Sequence, residues 1–169
     1  MTVPPPTGQP LTHQRSDGSA HMVDVSAKQA TVRQATAVAT VSTRADVVAL
    51  IVDGGLPKGE AVATARIAGI LAAKRTPDLI PLCHPLPLTG VDVDVEPHGE
   101  VVDIRATVRT TAVTGVEMEA LTAATIAALT MFDMIKAVDK QAVITDVCVV
   151  AKSGGKSGNW QRDKGKGKP

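Results

Sequence analysis

The sequence predicts an α+β fold in which an antiparallel sheet carries helices packed on one face. Two segments, residues 89–96 and 100–111, alternate between apolar and polar or charged residues, which is typical of antiparallel strands with one face in water. A third segment, residues 114–139, is dominated by strong helix formers and has no glycine or proline after Gly115. Strands and helices grouped in this order favour one sheet layer packed on one helix layer.

The amino-terminal part of the sequence has weaker secondary-structure patterns. Residues 1–18 are rich in proline, glycine and polar residues, so we expect a disordered or loosely attached tail. Residues 19–29 are short and mixed, and they indicate only extended chain or loop. Residues 31–42 contain Val, Thr and Ala in partial alternation, which is consistent with a strand.

Two helices are predicted next, over residues 43–53 and 59–75. Ser42 or Thr43 is the expected cap of the first helix, and a glycine pair ends it. The second helix carries apolar residues at helical spacing, and Pro77 is expected to end it.

The remaining segments complete the sheet. Three prolines exclude a regular helix from residues 78–87. Residues 97–99 predict the turn between the two alternating strands, and residues 142–151 predict a final Val-rich strand. Residues 159–169 are interpreted as a flexible basic tail, which leaves residues 19–158 as the folded domain.

Composition limits what the chain is expected to bind. A length of 169 residues favours a single domain with a sizeable core. The net charge of +1, with 21% charged residues, gives no electrostatic case for a nucleic-acid or membrane-surface partner. Phe132 and Trp160 are the only aromatic residues, so a module that grips bases by aromatic stacking would lack its contacts.

Cysteine usage and hydropathy indicate a cytoplasmic protein. Cys83 and Cys148 are too few for a disulfide framework. No apolar run approaches the roughly 18 residues of a membrane span, and no basic segment followed by an apolar one marks a secretory signal. We therefore expect a soluble cytoplasmic domain.

The long helix carries charge at both ends. Glu117 and Glu119 lie at its start, and Asp133 and Lys136 lie near its end. Ionisable groups on an otherwise apolar helix are costly to bury unless they are paired or used. Glu117 and Asp133 are 16 residues apart, which is about 24 Å along a helix axis. The two ends therefore serve different purposes, or two copies of the helix meet at a subunit interface.

Both charged ends also have simpler explanations. Thr114 and Glu117 fit a capping box for the first turn, which leaves Glu119 unexplained. Two acids in a first turn also suit the helix dipole without any function. Asp133 and Lys136 are three residues apart and could form an ordinary ion pair. The apolar residues beside Asp133 favour the other interpretation, a pair with the shifted pKa values that acid–base catalysis requires.

Other residues are open to two interpretations each. Lys58 precedes a helix start, where it either binds an anion or is a solvated lysine. Cys83 and His84 are neighbours in an extended segment and point in opposite directions, so a nucleophilic Cys–His pair is not expected. His84 alone could donate a hydrogen bond or carry a proton. Four scattered histidines and two cysteines give no zinc-ligand spacing, and we predict no metal site.

The segment 152–157, Lys-Ser-Gly-Gly-Lys-Ser, is similar to a phosphate loop. It departs from that pattern at Val150, where glycine is required. A phosphate-loop nucleotidase is rejected for this reason. A Gly-rich backbone with Lys152 and Lys156 could still contact an anionic ligand, and a flexible basic tail is the alternative.

Four long runs carry a resemblance to a known family. They are AHMVDVSAK at 20–28, KGEAVATARIAGILAAKRTPDLIPLCHPL at 58–86, TGVEMEALTAATIAALTMFDMIKAV at 114–138 and AKSGGKSG at 151–158. These runs resemble the cyclic pyranopterin monophosphate synthases of molybdenum cofactor biosynthesis, the MoaC family. The resemblance spans residues 20–158, so the two tails fall outside it.

The resemblance implies a lyase that acts after a radical-SAM GTP cyclase. Its substrate would be (8S)-3′,8-cyclo-7,8-dihydro-GTP, which is rearranged to cyclic pyranopterin monophosphate with release of pyrophosphate. The family implies a ferredoxin-like α+β fold and a homohexamer, a trimer of dimers, with active sites at the dimer interfaces. It implies no cofactor and leaves a requirement for Mg²⁺ open.

The family's site residues are carried over by motif. Its essential acid matches Asp133, with Lys136 as the partner lysine in MFDMIK, and a second catalytic lysine matches Lys58. Phe132 stands where relatives can carry Tyr. The implied substrate-binding residues are Leu82, Cys83 and His84 in LCH, Glu117 and Met118 with Glu119 beside them, and Arg33 and Lys152 as basic positions for the triphosphate.

The implied reaction has no net redox change and needs several proton transfers. We predict that Asp133 and Lys136 act as a coupled acid–base pair, with Lys58 as a second proton donor or phosphate stabiliser. Two other classes remain open. One is a regulatory module that binds the nucleotide without converting it, and the other is a scaffold subunit with Asp133–Lys136 as an interface salt bridge.

Overall fold

The computed structural model describes residues 17–156 and 158–163. Residues 1–16 and 164–169 of the two predicted tails lie outside the described residues. The described part contains five strands and four helices: β1 (Thr31–Ser42), α1 (Ala45–Val52), α2 (Ala61–Lys74), α3 (Thr76–Leu79), β2 (Leu88–His98), β3 (Val101–Ala112), α4 (Glu117–Ile135), β4 (Val143–Ser153) and β5 (Trp160–Gln161).

The strands form one antiparallel sheet in the order β2-β3-β1-β4-β5. β2 and β3 form a hairpin, and its turn lies at Gly99, whose φ is 55°. The predicted turn at residues 97–99 is shorter in the structure because β2 continues through Pro97 to His98. Proline is tolerated there because β2 is an edge strand. The sheet and its helices confirm the predicted α+β, ferredoxin-like fold class.

One face of the sheet is buried under the helices and the other meets water. α4 packs on β1, β3 and β4, and α2 packs beside it on β2. Small residues dominate this interface, which lets the helix and sheet backbones approach closely. The buried residues of β1, β3 and α4 include Ala35, Ala37, Ala39, Val41, Val102, Ile104, Ala106, Val108, Ala120, Ala123, Ala124, Ala127 and Ala128.

Several helix ends differ from those that the sequence predicts. α1 follows Arg44 and has no side-chain cap, because Thr43 Oγ1 donates instead to Asp139 Oδ2 at 2.6 Å. α2 is capped by Glu60, whose carboxylate accepts from two backbone N–H groups of the first turn. Pro77 lies in the first turn of α3, so it begins a short helix rather than ending α2.

α4 is the one helix in the described part of the chain that is long and apolar enough to cross a membrane, judged by length and composition alone. The expectation that no apolar segment approaches this length is therefore wrong. Of its most apolar 18-residue window, 56% is buried inside the protein. A core helix of a folded domain passes the same test, and the packing of α4 on the sheet is of that kind.

The segment predicted as a basic tail contains a short strand. Trp160 and Gln161 pair with Lys152 and Ala151 of β4. The backbone N–H of Arg162 then donates to the carbonyl of Val150 at 2.8 Å. Residues 159–163 therefore lie along the edge of the sheet, next to the end of β4.

Candidate active site

The three predicted catalytic residues meet at the end of α4. Lys58 Nζ donates to Asp133 Oδ2 at 2.6 Å. Lys136 Nζ lies 2.8 Å from Oδ1 of the same carboxylate. Each carboxylate oxygen of Asp133 therefore holds one ammonium group, and we call these three residues the Asp133 cluster.

Local backbone geometry brings the two lysines to Asp133. Lys136 follows the last residue of α4 and lies three positions after Asp133, so the two share one side of the helix. Lys58 stands in the turn before α2, where Gly59 has a φ of 85° that glycine adopts without strain. The Glu60 carboxylate accepts from the first backbone amides of α2. It therefore does not compete with Asp133 for the ammonium group of Lys58.

The Asp133 cluster lies at the surface of the single chain. The side chain of Asp133 is 51% exposed, whereas Met131 and Met134 beside it are buried. The prediction of apolar surroundings is therefore wrong for the isolated chain, because the apolar neighbours point into the core. Hydrogen bonds from Lys136 and Lys58 lower the pKa of Asp133 from 3.8 to about 2, so the carboxylate is ionised at neutral pH.

A cleft of about 520 Å³ lies at the opposite end of α4. Its volume falls within the range of small-molecule sites. Six predicted substrate-binding residues line it together: Leu82, Cys83, His84, Glu117, Met118 and Glu119. The first three come from the loop after α3 and the last three from the first turn of α4.

The Glu117 carboxylate forms an ion pair with Lys152 and makes no capping hydrogen bond to α4. Lys152 Nζ donates to Glu117 Oε1 at 2.9 Å, and both side chains are 31% exposed. α4 follows Val116 without a side-chain cap, so the predicted capping box of Thr114 and Glu117 is wrong. The Glu117 carboxylate lies against Gly115, where an added Cβ would overlap Oε2, so a larger residue there would displace the carboxylate from its present position.

Glu119 is a buried carboxyl group in the same cleft. Its exposure is 3%, and burial, with a smaller contribution from the charge of Glu117, raises its pKa. Burial, with the charge of Glu119, also raises the pKa of the Cys83 thiol. Cys83 is therefore protonated at neutral pH, which agrees with the expectation that it is not a nucleophile.

His84 and Arg33 are fixed by backbone carbonyl groups. His84 Nε2 donates to the carbonyl of Val23 at 2.9 Å, because a carbonyl oxygen only accepts, and this hydrogen bond orients the ring. Arg33 donates through Nε to the carbonyl of Ala112 at 3.0 Å and through Nη2 to that of Val113 at 3.2 Å. The Arg33 guanidinium also lies against Gly155, where an added Cβ would overlap Nη1. Arg33 therefore stands beside the Gly-rich segment that follows β4.

Sequence reasoning missed part of the cleft wall. Val23, Val25 and Lys28 line the cleft together with Ile80 and Leu86. Lys28 lies in one of the runs that carry the family resemblance, but no spacing rule connects that run with the loop after α3. The His84–Val23 hydrogen bond, which spans 61 positions of sequence, is what joins the two segments.

The predicted site residues thus fall into two groups within one chain. The Asp133 cluster lies at the end of α4, and the cleft with Lys152 and Arg33 lies at its beginning. Over residues 17–156 and 158–163, no group of three or more His, Cys, Asp and Glu side chains is placed to hold a metal ion. The absence of a cofactor stays a prediction.

Comparison with known proteins identifies the family. The profile described as "MoaC family" matches residues 22–155. A Corynebacterium efficiens protein named cyclic pyranopterin monophosphate synthase is 63% identical over 150 residues, 89% of this chain and 97% of that protein. A Streptomyces avermitilis protein with the same name is 58% identical over 169 residues, 96% of this chain and 99% of that protein. Cyclic pyranopterin monophosphate synthase 2 of Mycobacterium tuberculosis is 60% identical, over 90% of this chain and 91% of its own length. The chain belongs to the MoaC family.

Proposed function

We propose that this chain is a cyclic pyranopterin monophosphate synthase of molybdenum cofactor biosynthesis. It converts (8S)-3′,8-cyclo-7,8-dihydroguanosine 5′-triphosphate to cyclic pyranopterin monophosphate and releases pyrophosphate. The observation that carries this proposal is the Asp133 carboxylate with one lysine on each oxygen. The high identity to relatives that bear this name supports it.

The Asp133 cluster supplies proton transfer. A carboxylate with a pKa of about 2 is a weak base, so the lysines are the proton carriers and Asp133 holds them in place. Lys136 or Lys58 gives a proton to a nitrogen or oxygen of the opening ring and recovers it in a later step.

The cleft at the start of α4 binds the substrate's ring. Glu117 and Glu119 offer carboxyl groups to the guanine-derived edge, while His84 offers a ring nitrogen and Met118 an apolar face. The buried carboxyl group of Glu119, whose pKa is raised, can carry the proton that a ring nitrogen or carbonyl requires. Leu82 and Cys83 complete the wall of the cleft.

Lys152 and Arg33 bind the triphosphate. Lys152 already pairs with one carboxylate, Glu117, and a phosphate group can share the same ammonium. Arg33 lies against Gly155 of the Gly-rich segment, whose backbone N–H groups are also suited to an anion. Neutralising the phosphate charge favours attack on the α-phosphate and departure of pyrophosphate.

The complete site takes residues from two subunits of a homohexamer built as a trimer of dimers. The length of α4, 19 residues, supports this because it separates the Asp133 cluster from the cleft by about 24 Å within one copy. The half-exposed Asp133 also supports it, since a partner's cleft could cover that carboxylate. The dimer interface is where one chain's ring-binding residues meet the other chain's lysines.

The family resemblance implies the setting of the reaction. The substrate is a cyclised dihydro-GTP, which a radical-SAM GTP cyclase forms before this protein acts, and we place both in the cytoplasm. The scheme uses no resident cofactor, since the reaction has no net redox change. Comparing rates with and without EDTA decides whether Mg²⁺ accompanies the triphosphate.

Turnover of the cyclised dihydro-GTP tests the proposal. The wild-type protein is expected to release pyrophosphate and form cyclic pyranopterin monophosphate. Asp133→Asn should fold and assemble normally but lose about 10²- to 10⁴-fold in kcat. Asp94→Asn is the matched control, because Asp94 is an exposed carboxylate on β2, and it should keep wild-type turnover.

The same experiment separates the two rival classes. A regulatory module would bind the compound without releasing pyrophosphate. If the protein were a scaffold subunit, Asp133→Asn would weaken oligomer assembly and leave the rate of pyrophosphate release unchanged. Either result would overturn the catalytic assignment.

A further inference from the structure

Trp160 lies on the same face of the sheet as the substrate cleft. In the register of the sheet, Trp160 faces Lys152 on β4, and Lys152 faces Ala35 on β1. Residues that face each other across antiparallel strands point to the same side. Ala35 is buried under the helices, so Lys152 and Trp160 also point to the helix side, towards the start of α4.

Trp160 borders a hollow on each face of this sheet edge, and the hollow on the helix side lies beside the start of α4. It has a volume of about 440 Å³ and is lined by Glu117, Val149, Lys152, Asn159 and Trp160. Glu117 also lines the cleft that binds the ring in the proposed function. The hollow therefore adjoins the cleft at Glu117, and the Glu117–Lys152 ion pair lies at their junction.

The indole of Trp160 is held in place from one side. The guanidinium carbon of Arg162 lies 5.7 Å from the centroid of the ring, within cation–π distance. Arg162 is fixed in turn, because its Nε donates to the carbonyl of Val149 and its backbone N–H to that of Val150, both at 2.8 Å. Trp160 remains 42% exposed, and it, rather than Arg162, lines the hollow.

We propose that Trp160 is a substrate-binding residue whose indole stacks on the heterocyclic ring of the bound nucleotide. A ring held in the cleft at Glu117 can extend past this shared side chain onto the indole, while the ammonium of Lys152 beside it takes the anionic chain. Phe132, the other aromatic residue, is partly buried against the core near the far end of α4, so Trp160 is the aromatic residue that borders the hollow. This inference rests on the proposed function for the identity of the ligand.

Calorimetric binding of the cyclised dihydro-GTP tests the proposal directly. Measurements use the full chain carrying Asp133→Asn, so that turnover does not consume the ligand. Adding Trp160→Ala should raise Kd about tenfold, the loss expected when a ring–aromatic stack is removed. Trp160→Phe, which keeps an aromatic face, should raise Kd no more than about threefold.

Val143→Ala is the matched control. Val143 is an exposed apolar residue at the start of β4, the strand that pairs with β5, and it lies roughly 30 Å along β4 from Lys152. It should leave Kd unchanged. A purely structural role for Trp160 would lower Tm in Trp160→Ala and leave Kd at the parent value, and that pattern would overturn the proposal.

Tryptophan fluorescence gives an independent readout, because Trp160 is the single tryptophan in the chain. Titration with the cyclised dihydro-GTP should change the tryptophan emission, and the change should follow the Kd measured by calorimetry. An emission that stays unchanged at saturation would contradict stacking. If wild-type protein binds the compound and shows these effects without releasing pyrophosphate, the proposed function fails and the stacking role stands. If the compound does not bind, both fail.

Discussion

Glu117 and Asp133 stand at opposite ends of α4, and each is paired with lysine. Glu117 is the first residue of the helix and pairs with Lys152, while Asp133 lies in its last turn between Lys58 and Lys136. The two carboxylates are about 24 Å apart along the axis. A nucleotide-sized substrate cannot contact both carboxylates of one chain in the reacting geometry. The separation therefore requires that a site using both residues draws on two copies of the chain.

Mixing two inactive variants should restore activity. Glu117→Gln and Asp133→Asn are each expected to be inactive, for loss of ring binding and of proton transfer respectively. A hybrid dimer holds one site in which both residues are native and one site in which both are changed. After subunit exchange, random pairing should give about a quarter of the wild-type rate, measured as pyrophosphate release.

A second mixture provides the control for that experiment. Asp133→Asn mixed with Lys136→Ala should stay inactive, because both changes fall in the same cluster and every site contains one of them. If the Glu117→Gln and Asp133→Asn mixture also stayed inactive after verified exchange, the site would not be shared between subunits.

The pKa of Asp133 should depend on both lysines. Hydrogen bonds from Lys136 and Lys58 hold it at about 2, below the ordinary value of 3.8. This contribution to stability is fully present above pH 3.8 and is lost as the pH falls through about 2. In a Lys58→Met, Lys136→Met protein, the carboxyl carbon of Asp133 should titrate near 3.8 in ¹³C NMR spectra. A titration that stayed near 2 would mean that other groups control the carboxylate.

Structural elements that depend on local sequence patterns could be predicted, and the strands are the clearest case. Residues 31–42 were predicted as a strand, and β1 has the same bounds. The alternation of residues 89–96 and 100–111 also located β2 and β3 within two residues at each end. Alternation works here because one face of each strand is buried and the other is wet. The alternation of apolar and polar residues thus shows which face of each strand is buried.

Contacts between distant segments could not be predicted from pattern. Lys58 and Asp133 are 75 positions apart, and their pairing depends on how α2 packs beside α4. The capping-box pattern at Thr114 failed for a related reason, because Lys152 of β4 competes for the Glu117 carboxylate. The sequence pattern predicts a tail at Trp160 because its glycine- and lysine-rich surroundings give no sign of the two-residue strand β5.

The close approach of α2 and α4 should depend on Gly69. A Cβ at this position would lie 2.9 Å from the carbonyl oxygen of Ala123, 3.2 Å from Ala127 Cβ and 3.3 Å from Val93 Cγ2. Gly69→Ala should therefore destabilise the fold by about 1–2 kcal/mol, since overpacking outweighs the gain in helix propensity. Thr64→Ala, on the exposed side of α2, should stay within about 0.5 kcal/mol of wild type. Urea unfolding measures both, and an equally stable Gly69→Ala protein would show that the helices can separate at no cost.

Glu119→Gln should make the protein more stable at neutral pH and less active. Burial raises the pKa of Glu119 above 4.5, so the folded protein binds this proton more tightly than the unfolded chain does. Stability therefore falls as the pH rises from 4.5 through the raised pKa and is constant above it. Glutamine has no proton to lose, so Glu119→Gln should raise Tm at pH 7 and leave it unchanged at pH 4.

Activity gives the second half of that test. If the Glu119 carboxyl group moves a proton at the substrate ring, Glu119→Gln should lower kcat about 10²-fold or more despite the higher Tm. Glu96→Gln, at an exposed position on β2, should change neither quantity. A Glu119→Gln protein that was more stable and fully active would restrict Glu119 to ring binding. A lower Tm at pH 7 would instead mean that ionised Glu119 stabilises the cleft, which its burial argues against.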